Sequence, residues 1–255
     1  MKRFINTFVL VCLFAAIPVY GSLNDGLAAH WTFDEPDGTT AYDSAGSNDG
    51  TVYGGAQWTA GKLGGALYFD GVNDYVDCLN DGSIDIPDNI SISLWFNSPA
   101  WTNKPDYVNG LISKRDHYLP GFDWEIYYSK NLNGICLWDS SVPSFNNMHV
   151  VPSTNTWQHL VVTKSGTVAS LYLDGILRAT DATSALWDTG DKVKIGVLDL
   201  DPQYVDKGFY QGMIDDVRIY NRVLNADEVA QLYAIPEPGT VLLLGLGGLL
   251  LKRKR

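Results

Sequence analysis

The sequence predicts an all-β chain: a two-sheet antiparallel sandwich with one short C-terminal helix. Three observations carry that prediction. Apolar and polar residues alternate in short segments, which is the period of half-buried strands. Clusters of Gly, Asn, Asp, Ser and Thr separate those segments, as turns require. Between Ser22 and Ala234 there is no long stretch of helical periodicity. With 255 residues, 45% of them apolar and 12% aromatic, the chain can bury a sizeable core.

In chain order, residues 1–21 read as a secretory signal peptide. Lys2 and Arg3 precede an apolar run from Phe8 to Ile17, and Val19 and Gly21 suit cleavage before Ser22. The domain predicted over 22–234 opens with a strand at 29–33, stopped by Asp34-Glu35-Pro36-Asp37-Gly38. Strands at 66–69 and 75–78 flank the turn from Asp70 to Asp74. The run at 90–96, Ile-Ser-Ile-Ser-Leu-Trp-Phe, alternates as a half-buried strand. Further strands are expected at 109–114, 122–128, 134–138 and 147–151. Segments 157–164 and 167–173 form a hairpin about Ser165-Gly166, and Asp174-Gly175 turns the chain into a strand at 176–179. Strands at 192–198 and 209–220 complete the set. Asn225 followed by Glu228 makes a capping box ahead of Val229, Leu232 and Tyr233, so a short helix begins there. No linker or change of composition interrupts 22–234, which reads as one domain.

The last segment, 235–255, has three parts. Pro236-Glu237-Pro238 denies the chain a helix at the domain exit. Val241 to Leu251 holds only Leu, Val and Gly, and Lys252-Arg253-Lys254-Arg255 follows. Eleven apolar residues span about 16 Å as a helix, short of a ~30 Å hydrocarbon core. The basic cluster suits the cytoplasmic side. Such an end is a transient anchor. It resembles the PEP-CTERM sorting signal, which implies processing by an exosortase-type enzyme and passage through the inner membrane to the cell surface or extracellular matrix.

Charge narrows the partners. Six of the 18 Lys and Arg lie at the two ends, which leaves 12 against 29 Asp and Glu, a net −17 for the rest. Such a body repels phosphate backbones, so no nucleic acid partner is expected. With Cys12 in the signal segment, Cys78 and Cys136 remain as a candidate disulfide in an oxidising compartment. Their Cα atoms would have to lie about 4.4–6.8 Å apart.

Seven stretches resemble LamG-like domains in the order that family has them. They are Trp31-Thr32-Phe33-Asp34-Glu35 with Asp43 to Val52, Gly64 to Gly71, Asp74-Tyr75-Val76, Ser91 to Phe96, Trp157 to Thr163, Leu171 to Gly175, and Gly212 to Leu224. The resemblance covers nearly all of 27–233 and implies a concanavalin A-like jelly roll whose first and last strands pair. Relatives of laminarinase type often hold a structural calcium near that pairing. In them an Asp of the last strand is a ligand, and Asp215 matches it. By the same resemblance Asp34, Asp43, Asn48 and Asp49 are candidate calcium ligands, although Asp and Asn before Gly also cap turns.

Aromatic side chains are the candidates for stacking sugar rings. Trp31, Trp95 and Trp157 sit in alternating strands and belong to the core, and core is also the stronger reading for Trp124 and Trp138. Trp101 and Trp187 lie among turn residues, so with Tyr118 and Arg115 they are the expected ligand-binding residues. Catalysis by a laminarinase-type carboxylate pair is disfavoured. Phe122-Asp123-Trp124-Glu125 offers two acids on one strand face, but the third acid of that motif is missing. No His spacing suits a metal. The expectation is an exported, non-catalytic module that binds glycan or matrix polymer or serves structurally, with a glycoside hydrolase on the same fold as the alternative.

Overall fold

A computed structural model describes residues 22–101, 108–114, 124–138, 148–182, 190–198 and 208–236. Its strands run β1 (Leu27–Trp31), β2 (Thr40–Ala41), β3 (Gly50–Tyr53), β4 (Gln57–Ala60), β5 (Gly65–Asp70) and β6 (Tyr75–Cys78). There follow β7 (Asn89–Asn97), β8 (Val108–Lys114), β9 (Trp124–Ser129), β10 (Gly134–Trp138), β11 (His149–Val150) and β12 (Gln158–Ser165). The series closes with β13 (Val168–Leu173), β14 (Ile176–Ala182), β15 (Val193–Ile195), β16 (Val197–Leu198), β17 (Gly208–Phe209), β18 (Gln211–Tyr220) and the helix α1 (Ala226–Tyr233).

They form two antiparallel sheets. The first has the order β14-β13-β12-β7-β18-β5-β4, and β1 also pairs with β18. The second has the order β11-β10-β9-β8-β15-β6-β3-β2. The first and last strands are therefore neighbours, as expected. Alternation then builds the core. Leu67, Phe69, Ile92, Leu94, Phe96, Leu160 and Val162 of the first sheet meet Val76, Ile112, Trp124, Ile126 and Ile135 of the second. Asp174 and Gly175 both take positive φ, 54° and 76°, which is the two-residue turn that Asp-Gly predicts.

Two expected strands are each divided. The segment at 192–198 turns at Gly196, whose φ is 83° and whose absent Cβ leaves room for the Phe69 ring. That at 209–220 breaks at Tyr210, whose N–H bonds the Gly196 carbonyl at 2.9 Å. The short pieces β16 and β17 then pair as a ribbon over the second sheet. Gly110 makes that close approach possible, because a Cβ there would lie 2.1 Å from the Leu198 nitrogen.

Helix α1 begins as its capping box requires. The Glu228 N–H bonds the Asn225 side chain at 3.0 Å, and the Glu228 carboxylate accepts from the Asn225 N–H at 2.9 Å. Val229 and Leu232 pack on Val161, Tyr220 and Leu224 on the outer side of the first sheet. Each such buried side chain contributes about 1.5–3 kcal/mol.

The expected Cys78–Cys136 disulfide is corrected. Both thiols are free and buried. Cys78 points into the core from β6, whereas Cys136 lies on the outer side of β10 with Tyr127 and Leu198. They sit four strands apart in sheet order, about 19 Å at the usual interstrand spacing. No bridge can span that. Burial pushes the Cys136 thiol up to about 12 and Cys78 well above its ordinary value, so both stay protonated.

Candidate functional site

The outer face of the second sheet carries a row of polar side chains in direct cross-strand register. Thr51 opposes Asp77, Asp77 opposes Lys194, and Lys194 opposes Ser113. Ser113 in turn opposes Glu125. Each step is about 4.8 Å, so the row runs about 19 Å perpendicular to the strands. It goes from open to enclosed: Thr51 is exposed, Asp77 and Lys194 are half-buried, and Ser113 and Glu125 are buried. Lys192 Nζ lies 3.5 Å from Asp77 Oδ2, while Asp77 Oδ1 has no hydrogen-bond partner among the described residues.

An aromatic ladder flanks the open end. Tyr53 and Tyr75 are cross-strand partners with rings stacked at 4.9 Å. Phe209, from the β16–β17 ribbon, tilts against Tyr75 at 6.4 Å. Tyr53 is 43% exposed. Tyr75 packs between Tyr53 and Phe209, so the aromatic surface on offer is the half-exposed Tyr53 ring, which stands beside hydroxyl, carboxylate and ammonium groups as a sugar ring requires. The residues of this surface were not among the expected site residues. The alternation in Thr51-Val52-Tyr53 and Tyr75-Val76-Asp77 does place them on one face, but their neighbours across the sheet are distant in sequence.

A hydrolytic pair is not assembled on this face among the described residues. Glu125 is opposed by Ser113 and Trp138, and the nearest acid along the row, Asp77, is three strands away. That is about 14 Å, beyond the ~5–9.5 Å between carboxylates in glycoside hydrolysis. Asp123 lies outside the described residues.

The five expected calcium ligands fall into two groups. In the first, Asp43 acts as an acceptor. Its Oδ1 takes N–H bonds from His30, Ala45 and Gly46 at 2.9–3.0 Å, and its Oδ2 takes the backbone and side-chain N–H of Asn48 at 3.0 Å. Asp49 Oδ1 accepts from the Asp43 N–H, and Asn48 bridges onward to Ser83 and Asp81. In the second group, Asp34 Oδ1 accepts from Gly65, and Asp215 Oδ2 accepts from Lys62 and Leu63. Asp43 engages both oxygens with five N–H donors and so reads as a turn clamp, whereas Asp215 Oδ1 has no hydrogen-bond partner among the described residues. Among the described residues no three His, Cys, Asp or Glu side chains are placed to hold a metal. Calcium held at these residues should show as a thermal midpoint that falls by several degrees in EDTA and recovers when calcium is added, whereas a midpoint that EDTA leaves unchanged would make them turn caps alone.

Of the expected ligand-binding residues, Tyr118, Trp187 and Arg115 lie outside the described residues. Trp101 is not a free platform. Its ring stacks on Tyr128 at 4.8 Å and meets Phe96 edge-on at 5.7 Å, and its Nε1 bonds the Ser153 carbonyl. Trp31 and Trp124 are buried as expected, and Trp157 is half-buried. Trp95 is buried on the outer side of the first sheet, under Tyr233 at 5.7 Å and Lys62 at 5.4 Å. Beside it His159 bonds Ser93 at 2.8 Å, and burial lowers its imidazole to about 3. Nearby, Asp216 joins His30 at 2.7 Å and Arg218 at 3.0 Å. Of the sorting motif, Pro236 is exposed, and Glu237 and Pro238 lie outside the described residues.

Comparison with known proteins agrees with this architecture. The family profile of the concanavalin A-like lectin/glucanases superfamily matches residues 69–230, and the PEP-CTERM protein-sorting motif matches 234–255. No curated protein matches the chain. Among solved structures, domain 4 of AbnA, a GH43 extracellular arabinanase from Geobacillus stearothermophilus in complex with arabinotriose, is similar with a TM-score of 0.62. Identity is 22%, over 81% of this chain and 98% of that one. The binding domain of Paraclostridial Mosquitocidal Protein 1 gives 0.61 at 19% identity, over 83% of this chain and 52% of that one. A mutant of Trypanosoma rangeli sialidase displaying trans-sialidase activity gives 0.62 at 17%, over 82% of this chain and 32% of that one. This chain thus spans about half of the second and a third of the third, and at these identities the likeness is one of fold.

Proposed function

The chain belongs to the concanavalin A-like lectin/glucanases superfamily and ends in a PEP-CTERM protein-sorting motif, and from that premise we propose that it is an exported, surface-sorted module that binds glycan without cleaving it. The observation that carries this reading is the outer face of the second sheet, where the Tyr53–Tyr75 ladder borders the row from Thr51 to Glu125. A domain of the same fold, that of the arabinanase, was solved with arabinotriose. The separation of Glu125 from Asp77 favours binding over hydrolysis, and the acidic charge of the whole chain, −11, favours uncharged polymers.

Affinity electrophoresis through gels containing arabinan, xylan or laminarin tests the proposal. At least one polymer should retard the protein saturably, with no reducing ends released. Tyr53→Ala combined with Tyr75→Ala should weaken that retardation about two- to tenfold, since a lost stacking contact is worth about 0.5–1.5 kcal/mol. Loss of the cross-strand pair should cost about 1 kcal/mol of stability, so binding is compared at a temperature where both proteins are folded. Absence of saturable binding to any polymer would leave a purely structural role. Reducing ends that vanish on Glu125→Gln would make the protein a hydrolase.

A further inference from the structure

Three exposed apolar side chains lie at one corner of the sandwich, Leu177 on the face that carries α1 and Ile176, its neighbour in the strand, on the other. Ile176 is 56% exposed, Leu177 51% and Tyr233 43%. Ile176 and Leu177 open β14, directly after the Asp174-Gly175 turn, and Tyr233 ends α1. The turn and the helix end touch, because a Cβ on Gly175 would meet the Tyr233 Cβ and ring at 3.4 Å. Cations border the corner: Arg178, which follows Leu177, is exposed, and Lys62 lies over the Trp95 ring that stacks on Tyr233. Both Asp174 carboxylate oxygens are taken, by Gln158 and by the His159 N–H, and the acids of α1 lie in its first turn, at the far end.

The chain leaves the domain at this corner. Ile235 packs half-buried against the cluster under α1, and Pro236 is exposed. Only residues 237–240 separate Pro236 from the apolar run beginning at Val241. From Pro236 to Val241 is five residue steps, at most about 18 Å fully extended. A tail inserted in a bilayer therefore tethers this corner close enough to reach the interfacial layer, where a Tyr ring and half-exposed aliphatic side chains are favoured.

We propose that Ile176, Leu177 and Tyr233 form a membrane-docking corner that rests on the lipid surface while the C-terminal segment is inserted. This rests on the reading of that segment as an anchor. The corner lies beside α1, which covers the outer side of the first sheet, and the polar row lies on the outer side of the second. Docking thus turns the candidate glycan surface away from the membrane.

The test uses the exported chain with its C-terminal segment intact and vesicles of phosphatidylethanolamine and phosphatidylglycerol. Cys78 and Cys136 are buried, so an environment-sensitive fluorophore can be attached selectively at Leu177→Cys or, on the opposite face, at Thr51→Cys. The chain should float with the vesicles, the probe at 177 should brighten about twofold or more and shift to the blue, and the probe at 51 should not change. In the unlabelled protein, amide exchange at 174–178 should slow on vesicles. Flotation with an unchanged probe at 177 and unchanged exchange would overturn the docking while the anchor stands. A chain that does not float at all would overturn the anchor reading and the docking with it.

Discussion

Replacing Asp43 by alanine should lower stability by about 4 kcal/mol and the thermal midpoint by roughly 8–16 °C. One carboxylate there satisfies five N–H groups, drawn from β1, from the loop behind it and from the Asn48 side chain. The residue is 7% exposed, so water cannot easily replace it. A hydrogen bond to a charged acceptor is worth about 1.5–3 kcal/mol. Bonds that share one acceptor are not additive, which keeps the estimate well below their sum. Asp43→Asn should rescue little, since one of its terminal atoms becomes a donor facing the Asn48 N–H groups. Asp34→Ala makes the contrast: its carboxylate accepts one bond on an exposed surface and should cost no more than about 1 kcal/mol. Urea unfolding of the three variants decides the matter. A loss below about 1.5 kcal/mol for Asp43→Ala would mean that the loop closes without its carboxylate.

That clamp also shows how far the sequence could be read. Asp43, Asn48 and Asp49 were visible as a group, and either a cation or a turn would explain them. The five N–H groups that meet Asp43 assign that residue to the turn. Strand placement was legible wherever alternation ran for six or more residues, as at 90–96, and the helix was legible from Asn225 and Glu228. The strands β2, β3 and β4 escaped notice because they are two to four residues long, and β4 is mostly exposed, with no apolar face to betray it. The Pro, Asn and Thr neighbours of Trp101 suggest a loop tip. In the fold Tyr128 and Phe96 come back to meet it. The polar row was illegible for a different reason. Thr51, Asp77, Lys194, Ser113 and Glu125 come from five separated segments, and alternation says which way a side chain points but not which strand lies beside it.

The pH dependence of stability should reveal two buried groups of opposite sign. Burial, with Oδ1 left unpartnered, raises the Asp215 carboxyl to about 7, against the N–H bonds from Lys62 and Leu63. Its unfolded value is about 3.9. Between those values the native state holds a proton that the unfolded chain has released, so stability falls as pH rises, by at most about 4 kcal/mol. His159 runs the other way. Burial lowers it to about 3, and between that and the unfolded value near 6.5 the unfolded chain holds the extra proton, so stability rises with pH by a similar amount. Asp216 and Glu228 interfere little. Despite the burial of Asp216, His30 and Arg218 hold it below the usual carboxylate range, and Arg222 does the same for Glu228, so their contributions are lost only below about pH 4. Burial also raises the Asp74 carboxyl, which adds a fall with pH just above its ordinary value, so the natural chain should show a nearly flat profile only in the upper part of the range from pH 4 to 6.5. Asp215→Asn should convert it to one that rises with pH, and His159→Gln to one that falls. Urea midpoints at half-unit pH steps measure both, and an Asp215→Asn profile parallel to that of the natural chain would show that the carboxyl is ionised in the folded state after all.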